Sequence, residues 1–353
     1  MLLNKCIVGG NTILLFLFVF FFTSCIQKDD LIPEVAVRRI SFNKADTSIV
    51  SGTIGYGDSN GSVIEELQPN EKIRLSILCI GNSYTQDALS YVPFVLERVF
   101  DRLEIHLYIL YKGSCYLENH WNNIESSIPA YNLYLFLSEN GVWKSSGKKS
   151  VQDIMACEMW DLIVLQQESS RSISFGTYQP YLNNIINWLK DQQSHFRTAW
   201  LLTPAHADGY GQSKSRTSEQ MWELVAANSK KLLDDGIVDY VAPCGTAVQM
   251  ARRTSLDALG TYGHLSYDGL HLQEGLPCLL EAYAFSKFLL DQIGIESDIN
   301  RYDLEVTQEW VNAKKIPGPH GPVITYDAVQ HDLIRECAAW AVSSPFVLPE
   351  PGK

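Results

Sequence analysis

The sequence predicts an α/β fold, a three-layer α/β/α sandwich around a central, mostly parallel five-stranded sheet. Two patterns carry this. Apolar runs of strand length recur at 75–80, 105–110, 162–165, 199–202 and 238–242. Between several of them lie stretches with apolar residues at helical spacing, clearest at 178–189, 218–233 and 276–290. Strand runs separated by helices make βαβ units, and strands buried on both faces read as continuous apolar runs rather than as alternation. Apolar residues are 46% of the chain, enough to fill such a core.

The first run is the one around which the rest is organised. Residues 74–85 read R-L-S-I-L-C-I-G-N-S-Y-T, an apolar run ending at Gly81. Glycine permits a sharp turn, and Asn82, Ser83 and Thr85 are residue types that open a helix. Helical spacing follows over 87–100, at Ala88, Leu89, Val92, Val95, Leu96 and Val99. Ser83 therefore lies in a strand-to-helix turn at the carboxyl end of a strand, where open parallel sheets bind ligands. It is read either as a nucleophile or as a helix cap.

Ahead of this domain, residues 1–24 carry Lys5, an apolar block over 13–22 and the ending F-T-S before Cys25. A basic start, a short apolar core and small residues describe a secretory signal. The block is shorter than the roughly 20 apolar residues that a membrane span needs. T-S-C looks like a lipobox, which implies lipid on Cys25. The following I-Q-K-D-D is similar to an acidic export tag, so the expected location is the outer membrane, facing the cell surface. Residues 25–72 read as a tether and lead-in, 73–345 as the enzyme-like domain and 346–353 as a C-terminal tail, with the chain fraying from Pro345 onward. The segment 119–149 reads as an insertion over one end of the sheet, and 326–341 as a closing helix. The tripeptide Gly57-Asp58-Ser59 has no buried strand before it and Asn60-Gly61 after it, which is turn chemistry.

A net charge of −12 argues against nucleic acid and against a polybasic membrane patch. Beyond Cys6 and Cys25, six cysteines remain, scattered and without C-x-x-C spacing. They read as mostly buried apolar residues, and no metal or other cofactor is expected.

The chemistry-bearing residues follow the strand runs. Ser83 follows the first, Gly113 and Ser114 the second, Gln166 and Gln167 the third, His206 the fourth, and Asp268 and His271 stand in a late D-G-L-H. Taken together these resemble the SGNH/GDSL hydrolase superfamily, in a lipoprotein branch similar to its acetyl-esterase-like members. G-N-S-Y at 81–84 stands for the G-D-S block, Gly113 for the glycine after the second strand, and Q-Q-E-S at 166–169 for a Q-G-E-S variant. Asp268 and His271 match D-x-x-H. The chain departs from the pattern in having Asn82 for the usual aspartate and in lacking G-x-N-D, so a glutamine must supply the amide.

The resemblance implies a flavodoxin-like SGNH fold. It also implies acyl transfer by Ser83 with His271 as base and Asp268 as its orienter. Ser83 N–H, Gly113 N–H and the Gln166 amide would then form the oxyanion hole. Gly113 alternatively only turns the chain. Gln167, Tyr84 and His206 are pocket candidates, with His264 beside them, and Trp121, Tyr84 and Tyr116 could stack on sugar rings. The expected activity is a serine esterase that removes small acyl groups, acetyl foremost, from a carbohydrate. The rival is a non-catalytic surface lipoprotein that keeps the fold and binds glycan.

Overall fold

The computed structural model describes residues 37–39 and 71–350. The signal segment, Cys25, most of the lead-in and the tripeptide at 57–59 lie outside the described residues.

The sheet is built on β2, Lys72–Gly81. Its parallel neighbours are β3, Leu103–Tyr111, on one side and β6, Leu162–Leu165, on the other. Parallel β7, Arg197–Leu201, and β8, Tyr240–Ala242, continue beyond β6. These five are the predicted strands. A short β1, Val37–Arg39, also pairs in parallel with the start of β2.

The sheet is wider than five strands. The 119–149 segment is not an insertion over its end. Helix Leu117–Glu125 leads into β4, Tyr131–Leu137, and β5, Trp143–Lys149, which extend the edge beyond β3 in antiparallel pairing. The sequence of β5, W-K-S-S-G-K-K, looks like loop because its residues are mostly exposed. Lysines on an outermost strand also discourage pairing with another chain.

Alternation along β2 feeds two cores. Leu75, Ile77 and Cys79 face a layer that includes helices Val92–Val99, Cys244–Ala251, Leu276–Gln292 and Ala328–Ser343. Leu78 and Ile80 face a layer that includes helices Val151–Met155, Tyr181–Gln192 and Ser218–Asp234. The protein is thus α/β, with a mostly parallel sheet between helical layers. Among the cysteines, Cys79, Cys115, Cys244, Cys278 and Cys337 are buried and unbridged.

Two local expectations change. The single helix expected over 87–100 is two, Ser83–Leu89 and Val92–Val99. Pro93 lies in the first turn of the second, where a missing N–H costs no helical bond. The tail is pinned rather than frayed through its described part. Thr246 donates to the Pro345 carbonyl at 2.6 Å, Trp340 Nε1 to that of Val347 at 3.1 Å, and Arg253 to that of Pro349. Beside the main sheet, β9, Gln273–Gly275, and β10, His320–Ile324, form a small parallel pair. No helix among the described residues is long and apolar enough to cross a membrane.

Candidate active site

Register brings three loops to one place. Gly81 pairs with Tyr111, and Ile80 with Leu165, so β2, β3 and β6 end side by side. Lys112 N–H then donates to the Gly81 carbonyl at 3.0 Å. Gly81 has no room for a side chain. A Cβ there would lie 2.0 Å from Thr85 Oγ1 and 3.0 Å from Gln166 Nε2.

Asn82 uses both ends of its amide. Its Oδ1 caps the helix by accepting Tyr84 N–H at 3.1 Å, and its Nδ2 donates to the Cys115 carbonyl at 3.2 Å. An ionised aspartate could make the first bond but not the second, because it has no donor. Asparagine here therefore ties the Ser83 turn to the loop after β3. Ser83 opens the helix, at a position whose N–H has no acceptor within the helix itself.

The D-G-L-H segment folds on its own aspartate. Asp268 Oδ1 accepts the N–H groups of Leu270 at 2.9 Å and His271 at 2.8 Å. Gly269 has φ +91, and a Cβ on it would come within 2.8 Å of the Tyr210 ring. Ser266 Oγ braces the turn, donating to the His271 carbonyl and accepting Gly269 N–H, both at 2.7 Å.

The structure brings Ser83, His271 and Asp268 together. Asp268 Oδ2 lies 2.8 Å from His271 Nδ1, and His271 Nε2 lies 2.9 Å from Ser83 Oγ. A carboxylate accepts only, so Nδ1 carries the ring proton and Nε2 turns its lone pair to the serine hydroxyl. Partial burial pushes the Asp268 carboxyl up. The hydrogen bonds from the His271 N–H, the His271 ring and the Leu270 N–H outweigh that and hold it below the ordinary range.

Gln166 is 2% exposed, and neither its Oε1 nor its Nε2 has a hydrogen-bond partner. Gln167 is the opposite. Its Nε2 donates to Thr177 O at 3.0 Å, and its Oε1 accepts from Leu117 N–H at 3.2 Å and Glu168 N–H at 2.8 Å. Gly113 is exposed, in a turn where Cys115 N–H donates to the Lys112 carbonyl and where Ser114, not Gly113, has positive φ.

Tyr84, His264 and Tyr116 each have a partner within the fold, and His264 also lines a cavity that includes neither Ser83 nor His271. Tyr84 is 2% exposed and donates to the Leu270 carbonyl at 3.0 Å. His264 Nδ1 lies 2.9 Å from Asp257. Tyr116 stacks under the Arg171 guanidinium.

His206 makes a second serine–histidine pair, with Ser169 Oγ 2.9 Å from its Nε2. Here Nδ1 accepts Gln212 N–H at 3.0 Å. The ring proton must then sit on Nε2, which donates to Ser169 and cannot take its proton. Burial, the largest influence on His206, pushes it down to about 4. This pair has the wrong tautomer for a base and no carboxylate on Nδ1.

Two residues escaped the sequence reading. Asp87, fully buried, is one helical turn after Ser83, and its Oδ2 accepts Leu272 N–H at 3.3 Å. That i, i+4 spacing was a usable signal. His320 packs on His271, brought there by β10, and nothing in the local pattern G-P-H-G-P marks it.

A family model, domain of unknown function (DUF4886), matches residues 76–301, a span that includes Ser83, Gln166, Asp268 and His271. The chain belongs to the DUF4886 family. A DUF4886 family protein from Bacteroides uniformis, known from a crystal structure, has the same fold, with 21% identity, a TM-score of 0.64, and 78% of this chain and 98% of that one covered. More distant are a candidate SGNH hydrolase from Slackia heliotrinireducens and a mutant of an acetylxylan esterase from Geobacillus stearothermophilus. The first has 18% identity and a TM-score of 0.40 over 59% of this chain and 95% of that one. The second has 12% identity and a TM-score of 0.40 over 63% of this chain and 95% of that one. No curated protein matches the sequence.

Proposed function

We propose that this DUF4886 protein is a serine esterase of the SGNH/GDSL type, hydrolysing small acyl esters, acetyl foremost, on a carbohydrate. The observation that carries the reading is the unbroken line from Asp268 through His271 to Ser83, with hydrogen-bond distances of 2.8 and 2.9 Å and the tautomer that a base requires.

In this scheme Ser83 Oγ attacks the acyl carbon while His271 Nε2 takes its proton. Asp268 stabilises the imidazolium, and the carbonyl electron pair moves onto oxygen. Three donors suit that oxyanion: Ser83 N–H, Gly113 N–H and Gln166 Nε2. Collapse of the tetrahedral intermediate expels the sugar oxygen, which takes the proton from His271. Water then attacks the acyl-serine by the same path in reverse, releasing the acid and restoring Ser83. Lipid on Cys25 would hold this site at the outer membrane, facing glycans at the cell surface.

The glycan-binding rival has one observation in its favour. A cavity of about 510 Å³, lined by Asp208, Glu223, Gln249, Arg252 and Asp257 among others, includes neither Ser83 nor His271. Gln249 Oε1 is buried there without a partner. Turnover separates the two. The wild-type protein should hydrolyse p-nitrophenyl acetate and acetylated oligosaccharides, and Ser83→Ala should lower kcat by on the order of 10⁵-fold. A Ser83→Ala protein that turns over like wild type would sink the esterase reading. Inert wild-type protein that binds unacylated glycan would support the rival.

A further inference from the structure

The scheme above leaves unused a second imidazole that packs directly on its base. The His320 ring centroid is 4.1 Å from that of His271, with the planes at 37°. His320 opens β10 and pairs with Gln273, two residues beyond His271. Its backbone position is thus set by the same short segment that carries the base. Tyr267 stacks on His320 in turn, with the rings within 17° of parallel. Gly321 makes room for that ring, since a Cβ there would come within 2.5 Å of it.

The polar end of His320 faces a buried carboxyl. Nε2 is buried and makes no hydrogen bond, and 3.7 Å away lies Asp87 Oδ1, also buried and without one. Asp87 is one helical turn from Ser83, and its other oxygen holds Leu272, next to His271. The contacts therefore close a ring, from the Ser83 helix through Asp87 and His320 to His271 and back to Ser83 Oγ. His320 lies outside the matched 76–301 span, so this wall comes from a later part of the chain.

Charge fits a wall better than a second base. Burial holds the Asp87 carboxyl well up, and burial followed by the neighbouring His271 pushes His320 down to about 4. Asp268 acts on His320 in the opposite sense. At neutral pH the pair adds no cation beside His271, where a like charge would oppose protonation of the base.

We propose that His320, packed between Tyr267 and His271, is a positioning residue for His271, a ring wall that keeps the imidazole aligned between Asp268 and Ser83. Its kinetic readout rests on the esterase reading, and a second readout does not. His320→Ala should lower kcat for p-nitrophenyl acetate by on the order of 10²-fold, the scale of a misplaced group, with KM nearly unchanged. His320→Phe, which restores a ring, should recover most of that loss. In protein labelled with ¹³C at histidine Cε1, the His271 resonance should broaden or double in His320→Ala and sharpen again in His320→Phe.

Wild-type kcat with an unchanged His271 resonance in His320→Ala would overturn the proposal, as would a Phe variant as impaired as Ala. If the wild type hydrolyses no ester, the esterase reading fails and the resonance alone decides. Should His320→Ala fail to fold, His320→Gln, polar but without an aromatic ring, takes its place with the same expected and contrary outcomes.

Discussion

Gln166 and Gln167 are adjacent in the chain and have opposite surroundings. Gln167 stitches the loop after β6 to Leu117, Glu168 and Thr177, whereas Gln166 is buried beside Gly81 with its whole amide unpaired. A buried polar group without a partner costs about 1–3 kcal/mol, so an unpaired amide beside a nucleophile suggests that its partner comes with the substrate. Gln166→Ala should lower kcat by on the order of 10²–10³-fold with KM nearly unchanged, and should leave the melting temperature the same or higher. Gln167→Ala should instead lower the melting temperature. Steady-state kinetics and thermal melts on both variants check this, and the reverse pattern would exchange their roles. The sequence supplied the residue type and the place after the third strand run. It could not choose by surroundings, because these depend on Leu117 and Thr177, which the fold brings in from outside the motif. Asn82 shows the same limit, since its donor bond to Cys115 exists only once β2 and β3 have paired.

At the scale of elements, the strand–turn–helix around Ser83 was legible because β2 is buried along almost its whole length and ends in glycine and a capping residue. The five parallel strands were legible for the same reason. The β4–β5 hairpin was not, since β5 lies mostly in solvent and carries lysine and serine rather than an apolar pattern. The helix break before Val92 was missed because apolar spacing runs on through it while Pro93 marks a new first turn. The turn itself makes a prediction. Gly81→Ala would drive a methyl to 2.0 Å from Thr85 Oγ1, inside the helix that carries Ser83. Overpacking of this kind typically costs about 1–3 kcal/mol. The variant should melt lower, and kcat should fall more than the equivalent loss of stability explains, because Ser83 moves with the turn. Normal stability and normal kcat would mean that the turn relaxes without cost.

Across the whole molecule, acid groups are buried beneath the site, and pH reports on them. Glu281 in helix Leu276–Gln292 is fully buried with both oxygens unpaired, and burial, reinforced by Asp87, holds its carboxyl well above the ordinary range. The folded state therefore keeps a proton that the unfolded state loses above its ordinary value of about 4.3. Its contribution is fully present below that value and is lost as pH rises toward the folded pKa. Glu281→Gln should thus gain on wild type as pH rises, with melting temperatures moving apart in the variant's favour from pH 4 to pH 8. A difference independent of pH would contradict this. The pairing of distant parts also separates two serine–histidine pairs that the sequence could not rank by tautomer, Ser83 with His271 and Ser169 with His206. It likewise brings His320 onto His271 from a segment with no motif of its own. If the first pair forms an acyl-enzyme, labelling by a serine-directed phosphonate followed by peptide mass mapping reads it most directly. A single adduct should fall on the peptide containing Ser83 and disappear in His271→Ala. An adduct on Ser169, or none on folded protein, would contradict the account.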